Sequence, residues 1–298
     1  MTILPNYDSP AALKNCLEEH GLSMQKKFGQ NFLVNPACRE RLVDTLELQK
    51  GSTVWEIGPG LGAMTSTLLD RGASVSAFEI DRGFCTFLRS IFADRPEFTL
   101  IEGDVIKNWK VASTTQGIPE RLFGNLPYNI AATIIGDMIE DGTLFEMVLV
   151  TVQKEVALRM AAKPGTADYS SFSVLCQWAY EVTPVMDLAG GNFWPRPNVA
   201  SRAVKMIPKD NWPGCVAPDV FRSLVRGLFS SRRKTIKNNL AAWLISSGKI
   251  DSNEKKDQVM QQFFSESGID SGLRAEMLSV ADFLRLSDIL TNILAVVV

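Results

Sequence analysis

The chain has 298 residues, 46% of them hydrophobic and 21% charged, with 31 Lys or Arg against 33 Asp or Glu. A chain of that length and make-up can bury a full core without disulfide or metal staples. No apolar run approaches the ~18 residues of a membrane span, and the polar, acidic start MTILPNYDSPAALKNCLEEH does not read as a secretory signal; a cytoplasmic protein with no membrane contact is expected.

In chain order, residues 1–22 lack a strong apolar period and read as a mobile lead-in. From Gly51, short apolar runs alternate with helix-length segments. TVWEIG, SVSAFEI, FTLIEGDV, RLFGNLP and MVLVTV read as five strands, with helical spacing at 63–69 and 83–91 between them. This alternation predicts an α/β fold, a parallel sheet wound by helices. FSVLCQWAYEVTPVMDL and SRAVKMI are expected to complete the sheet, antiparallel to the rest. Near residue 207 the composition changes. PKDNWPGCVAPD carries three prolines and a glycine and reads as a linker. Beyond it, Phe221, Leu224, Val225, Leu228 and Phe229 recur on one helical face, and 254–264 and 275–284 look helical. The expected organisation is an N-terminal lead-in (1–22), an α/β domain (23–207) and a small helical domain (208–298).

Metal chemistry finds no support. Cys16, Cys38, Cys85, Cys176 and Cys215 form no CxxC pair, and His20 is the sole histidine. A zinc ribbon, an HExxH site and a disulfide framework are therefore not expected.

The strand ends carry the chemistry. Glu56-Ile57-Gly58-Pro59-Gly60-Leu61-Gly62 follows the first strand and opens a helix. Its glycines allow a tight turn and close approach of a ligand to the backbone. The spacing is GxGxG, neither a dinucleotide GxGxxG nor a P-loop. The second strand ends at Glu79, where a carboxylate can accept both hydroxyl protons of a ribose. The third ends at Gly103-Asp104, a second carboxylate suited to an adenine amine. Each acid alone reads as a solvated strand-end charge; three such features at successive strand ends describe an adenosine-containing ligand. The lack of a pyrophosphate loop favours S-adenosylmethionine over NAD.

Gly124-Asn125-Leu126-Pro127-Tyr128 closes the fourth strand. The N6 amine of adenine is a poor nucleophile because its lone pair is delocalised into the ring. Two acceptors on its N–H groups would hold it and favour sp³ character. The Asn125 side-chain oxygen and a backbone carbonyl beside Pro127 suit that task, and Tyr128 can stack on an extruded base. The stiff loop Phe193-Trp194-Pro195-Arg196-Pro197 offers Phe193 as the opposite flat wall; a plain core role for Phe193 is the alternative.

The net charge of −2 is unlike that of a nucleic-acid binder, but its distribution is uneven. Residues 220–250 hold seven Lys or Arg and no acid. On an unbroken helix Arg222, Arg226, Arg233 and Lys237 would share one stripe, available for phosphate contact.

Taken in order, KKFGQNFL at 26–33, the EIGPGLG loop, Glu79, Gly103-Asp104, NLPY, FWPRPNVAS at 193–201 and the basic segment Arg232-Arg233-Lys234-Thr235-Ile236-Lys237 resemble the ribosomal RNA adenine dimethyltransferases of the KsgA type. The resemblance runs from about residue 24 to 238. It implies a Rossmann-like class I methyltransferase fold with a small C-terminal helical domain. It also implies an S-adenosylmethionine-dependent enzyme that dimethylates N6 of two adjacent adenines near the 3′ end of small-subunit rRNA. Asn31, Leu33, Gly58, Glu79, Asp104 and Asn125 would contact the cofactor, with Gln30–Leu33 a lid over its methionine end. Asn125, Leu126, Pro127, Tyr128 and Phe193 would form the acceptor site, and Arg222, Arg226, Arg232, Arg233, Lys234 and Lys237 would contact RNA. The expected partner is rRNA in an immature 30S-type particle, bound by a monomer without metal. A large-subunit rRNA methyltransferase of the macrolide-resistance type and a cofactor-binding ribosome-assembly factor with little turnover stay open as alternatives.

Overall fold

The computed structural model describes residues 4–25, 30–126 and 130–297. The chain divides into two compact units, Met1–Ala157 with Val182–Pro208, and Leu158–Glu181 with Lys209–Val298.

In the first unit the expected strands are present: β2 (Thr53–Ile57), β3 (Ser74–Glu79), β4 (Phe98–Glu102), β5 (Arg121–Asn125) and β6 (Met147–Gln153). They were readable because buried parallel strands are near-continuous apolar runs; in β6 every residue from Met147 to Val152 is buried. Between them run α3 (Ala63–Asp70), α4 (Arg82–Ile91), α5 (Val105–Gln116) and α6 (Ala131–Asp141). The last two strands are β7 (Tyr180–Leu188) and β9 (Ser201–Pro208), and the sheet order is β4-β3-β2-β5-β6-β9-β7. Pairs from β4 through β6 are parallel, and β9 runs antiparallel to β6 as expected. A separate two-residue pair joins β1 (Phe32–Leu33) to β8 (Phe193–Trp194).

Three expectations need correction. The N-terminal residues are not a lead-in: Pro10–Glu19 form helix α1, capped by the Ser9 side chain accepting from the Ala12 N–H. Leu13, Cys16 and Leu17, at i, i+3 and i+4, are buried in the same apolar cluster as Leu33 and Met64. That spacing is one short helical stripe, and packing completes it. A second helix, α2 (Pro36–Thr45), follows β1.

FSVLCQWAYEVTPVMDL is half helix and half strand. Ser171–Ala179 form α8, started by a reciprocal capping box between Ser170 and Ser173, and β7 begins at Tyr180. Burial of Val174, Cys176, Trp178 and Ala179 on several faces of α8 erased the helical period that would have distinguished it from a strand.

The domain boundary differs accordingly. Residues 158–181, including the last three residues of α7 (Lys154–Met160) and all of α8, belong with the helical unit. The 208–219 segment packs onto that unit and is no free linker: the Trp178 indole donates to the Pro213 carbonyl at 2.7 Å, and the Val216 N–H donates to Asp288 at 2.8 Å. The unit's other helices are α9 (Pro218–Leu228), α10 (Ile236–Ser246), α11 (Asn253–Ser267) and α12 (Val280–Val297). Its core includes Phe221, Leu224, Trp243, Phe263 and Phe283.

Candidate active site

The chain runs from β2 outward to β3 and β4, then returns to place β5 on the other side of β2. Such a reversal opens a crevice at the carboxyl ends of the strands, where ligands of open α/β sheets bind. A cleft lies there, lined by the ends of β2, β3 and β5 and by Gln30–Leu33.

The glycine loop forms the cleft's edge as expected. Gly60 adopts φ +60°, and a Cβ there would meet the Phe32 ring at 2.9 Å. Glycine is therefore needed twice over, for the left-handed backbone and for the close approach of Phe32. The loop is braced from behind by residues that the sequence did not single out. The buried Tyr7 hydroxyl donates to the Leu61 carbonyl at 3.0 Å. Arg39 donates to the Leu33 carbonyl at 2.9 Å and pairs with Asp8. Residues 7 and 8 thus support both backbone strips that border the cleft.

Glu79 lies at the end of β3 and is 4% exposed. One carboxylate oxygen accepts from the Gly60 N–H at 3.1 Å, the other from the Asp81 N–H at 2.9 Å. Glu56, on β2, is buried and accepts from the Thr65 hydroxyl at 2.6 Å. Burial pushes both acids up to about 7, against the opposing effect of these hydrogen bonds. Among the described residues the cleft has no Lys, Arg or His lining it. Two buried carboxylates without a cation make a poor site for a pyrophosphate and a good one for a positively charged ligand. Beside Glu79, Ile80 also lines the cleft and leaves its apolar side chain 44% exposed. An exposed isoleucine next to a buried carboxylate offers a flat ring an apolar wall. Its position directly after Glu79 was the available signal for it.

Asn31, Leu33, Gly58, Glu79 and Asn125 all line the cleft. Asp104 is not among the lining residues; it caps α5, accepting from the Ile106 N–H at 3.0 Å. The Gly103 N–H donates to the Glu79 carbonyl at 2.7 Å, which keeps the Gly103-Asp104 turn beside the cleft's acidic corner. Asn125 ends β5; its amide nitrogen donates to the Asn31 carbonyl at 2.9 Å, and its oxygen accepts from the Thr151 hydroxyl at 2.5 Å. Leu126 is buried. Pro127 and Tyr128 lie outside the described residues.

Phe193 departs from its expected place. It is 5% exposed, sits in the apolar cluster and pairs with Leu33 across the β1–β8 ladder. A ring covered to that extent has no open face for a base in this structure. The alternative weighed above, a core role, describes it; through Leu33 it backs the cleft wall.

The basic stripe is also corrected. Helix α9 ends at Leu228 and α10 starts at Ile236, so the four cations do not lie on one unbroken helix. Nor are its cations all without acidic partners: Arg222 pairs with Asp219, and Arg232 with Glu276. These partners lie outside 220–250, so a sequence window could not reveal them. Arg226, Arg233, Lys234 and Lys237 are exposed.

Comparisons with known proteins agree with this geometry. Residues 21–292 match the family model described as ribosomal RNA adenine dimethylase. The chain is 50% identical over 291 residues to "Ribosomal RNA small subunit methyltransferase A" of Treponema denticola, covering 97% of each. It is 38% identical to the protein of that name from Borreliella burgdorferi, over 96% of this chain and 95% of the relative. Among solved structures, a dimethyladenosine transferase from Plasmodium falciparum superposes with a TM-score of 0.71 at 26% identity, covering 85% of this chain and 94% of that one. The 23S rRNA methyltransferase ErmE shares the fold, with a TM-score of 0.61 at 22% identity over 87% of this chain and 99% of its own. With a family match over most of its length, and a cleft lined by two buried carboxylates at the switch point of the sheet, the chain belongs to the ribosomal RNA adenine dimethylase family.

Proposed function

We propose that the protein transfers methyl groups from S-adenosylmethionine to N6 of two adjacent adenines near the 3′ end of small-subunit rRNA. The observation that carries this reading is the cleft itself: two buried carboxylates, no basic residue among the described residues that line it, and Asn125 at its rim. S-adenosylmethionine bears a sulfonium and an ammonium, so the charge of the cleft fits it. When bound, it supplies an electrophilic methyl group. Glu79 would accept the ribose hydroxyls, Ile80 would cover one face of the adenine, and the Gly103-Asp104 turn would receive its amine. Gln30–Leu33 would close over the methionine end.

Asn125 would act on the acceptor. Its Oδ1 would accept an N6–H of the target adenine and favour the pyramidal amine as the methyl arrives. No side chain with a matched pKa is required for that step, because positioning and electrostatics govern an in-line displacement. Tyr128 would stack on the base. Arg226, Arg233, Lys234 and Lys237 would contact phosphates, with Arg222 and Arg232 shared between RNA and their acidic partners.

The small-subunit relatives at 50% and 38% identity favour that substrate over 23S rRNA, whose enzyme ErmE stands at 22%. An immature 30S-type particle is the substrate form, the enzyme acts as a monomer in the cytoplasm, and no metal takes part. No described helix is long and apolar enough to cross a membrane. The test supplies tritiated S-adenosylmethionine with immature 30S particles, 50S particles or DNA, followed by nucleoside analysis. N6,N6-dimethyladenosine from the 30S sample alone is expected. Label in 50S particles, or binding to 30S without label transfer, would favour one of the two alternatives.

A further inference from the structure

The strand β6 segment Met147–Val152 is apolar at every position but one, Thr151. Thr151 is 1% exposed. A hydroxyl in such a place costs free energy unless it is hydrogen-bonded, and a valine would fill the same volume. Its partner is therefore informative. Thr151 stands directly opposite Asn125 across the parallel β5–β6 pair. Its hydroxyl lies 2.5 Å from the Asn125 Oδ1.

The Asn125 amide is held at both ends. The Asn31 carbonyl, 2.9 Å from Nδ2, can only accept, so it requires the amide nitrogen on its side. That leaves Oδ1 facing Thr151, which must then donate. The Thr151 carbonyl also accepts from the Leu126 N–H at 3.0 Å. One residue thus holds the Asn125 side chain and the backbone just after it. An amide oxygen has two lone pairs. With one taken by Thr151, one remains, the number needed to accept a single N–H of an amine.

We propose that Thr151 is a positioning residue for methyl transfer: its hydroxyl pins the Asn125 amide with one Oδ1 lone pair open to the acceptor amine. The proposal rests on the reading of Asn125 as that amine's acceptor. Asn31 borders the cofactor cleft, so the same amide links the cofactor segment to the acceptor site, and Thr151 sets its second point of support.

The test compares Thr151→Val, Thr151→Ser and Asn125→Ala by steady-state kinetics, calorimetric S-adenosylmethionine affinity and thermal midpoint. Thr151→Val is expected to lower kcat by ~10–100-fold, the scale of a small misplacement of a reacting group. The KM values for both substrates should stay within about twofold, since an interaction that matters only in the transition state leaves ground-state binding alone. Thr151→Ser should restore most of the rate, and Asn125→Ala should lose at least as much as Thr151→Val. Wild-type kcat in Thr151→Val beside a crippled Asn125→Ala overturns the proposal and leaves the Asn125 reading standing. Thr151→Ser as slow as Thr151→Val also overturns it, because the methyl group and not the hydroxyl would then matter. Wild-type rate in Asn125→Ala removes the reading beneath it. Should Thr151→Val fail to fold, Thr151→Ala against Thr151→Ser gives the same comparison.

Discussion

Glu79→Gln should flatten the fall of the ligand-free protein's stability with rising pH while weakening its hold on S-adenosylmethionine. Glutamine copies the shape of the protonated acid but accepts on one oxygen only, so one of the Gly60 and Asp81 N–H groups loses its partner, and below about pH 4 the variant should be less stable than the wild type. Burial holds the wild-type carboxyl protonated up to about 7, whereas in the unfolded chain it ionises in the ordinary carboxylate range near ~4.3. Between those values the native state binds more protons than the unfolded one, so stability falls as pH rises through the window. The full difference is on the order of 3 kcal/mol above pH 7, and glutamine escapes it. Glu56, also pushed up to about 7, adds a slope of the same sign that the variant keeps; the comparison is therefore of slopes. Beside the change in slope stands a functional loss. The carboxylate already accepts the Gly60 and Asp81 N–H groups, one on each oxygen, and keeps lone pairs on both for two ribose hydroxyls. Glutamine has one acceptor oxygen, so at least one charge-assisted bond of ~1.5–3 kcal/mol is lost, a Kd about 10–150-fold higher. Thermal unfolding from pH 5 to 8 reads the first effect. Calorimetry at pH 6 in two buffers of different ionisation enthalpy reads the second, because ligand binding should expel the Glu79 proton in the wild type and not in the variant. Equal stability slopes together with equal S-adenosylmethionine affinity would refute the assignment of Glu79 as the ribose acceptor.

Tyr7→Phe leaves the buried Leu61 carbonyl without its donor and should cost ~1–3 kcal/mol in denaturant unfolding, with a raised Kd for S-adenosylmethionine; an unchanged Kd would make the contact purely structural. Phe193→Ala should destabilise by ~3–5 kcal/mol as a core truncation. A small stability loss with accumulation of N6-monomethyladenosine would instead restore Phe193 as a wall of the acceptor site. Replacing Arg233, Lys234 and Lys237 by Gln should flatten the salt dependence of RNA binding by up to ~0.7–0.9 log unit per lost contact. Arg222→Gln alone should change the slope less, because its guanidinium already pairs with Asp219. Equal slopes for the triple variant and the wild type would place the basic segment away from RNA.

The sequence by itself determined strands β2 to β6, their parallel sense and the residues at their carboxyl ends. A strand buried on both faces must be apolar along its length, and the turn that leaves it must carry whatever chemistry the cleft uses. Thus Glu56 to Gly62, Glu79 and Asn125 were legible from position alone. Elements whose identity depends on what they pack against were not. Leu13, Cys16 and Leu17 form too short a stripe to specify a helix until the apolar cluster of the first unit covers them. Buried on several faces, α8 carried no period to separate it from a strand. The basic stripe dissolved because residues 229–235 interrupt the helix and because Asp219 and Glu276 arrive from outside the segment. Partnerships across the sheet were the least accessible. Gly60 meets Glu79 from 19 residues away and Thr151 meets Asn125 from 26, and only strand register places those atoms together. The sequence therefore named most of the groups that line the cleft, and the tertiary structure decided how each is held, since a side chain's orientation is fixed by partners remote in the chain.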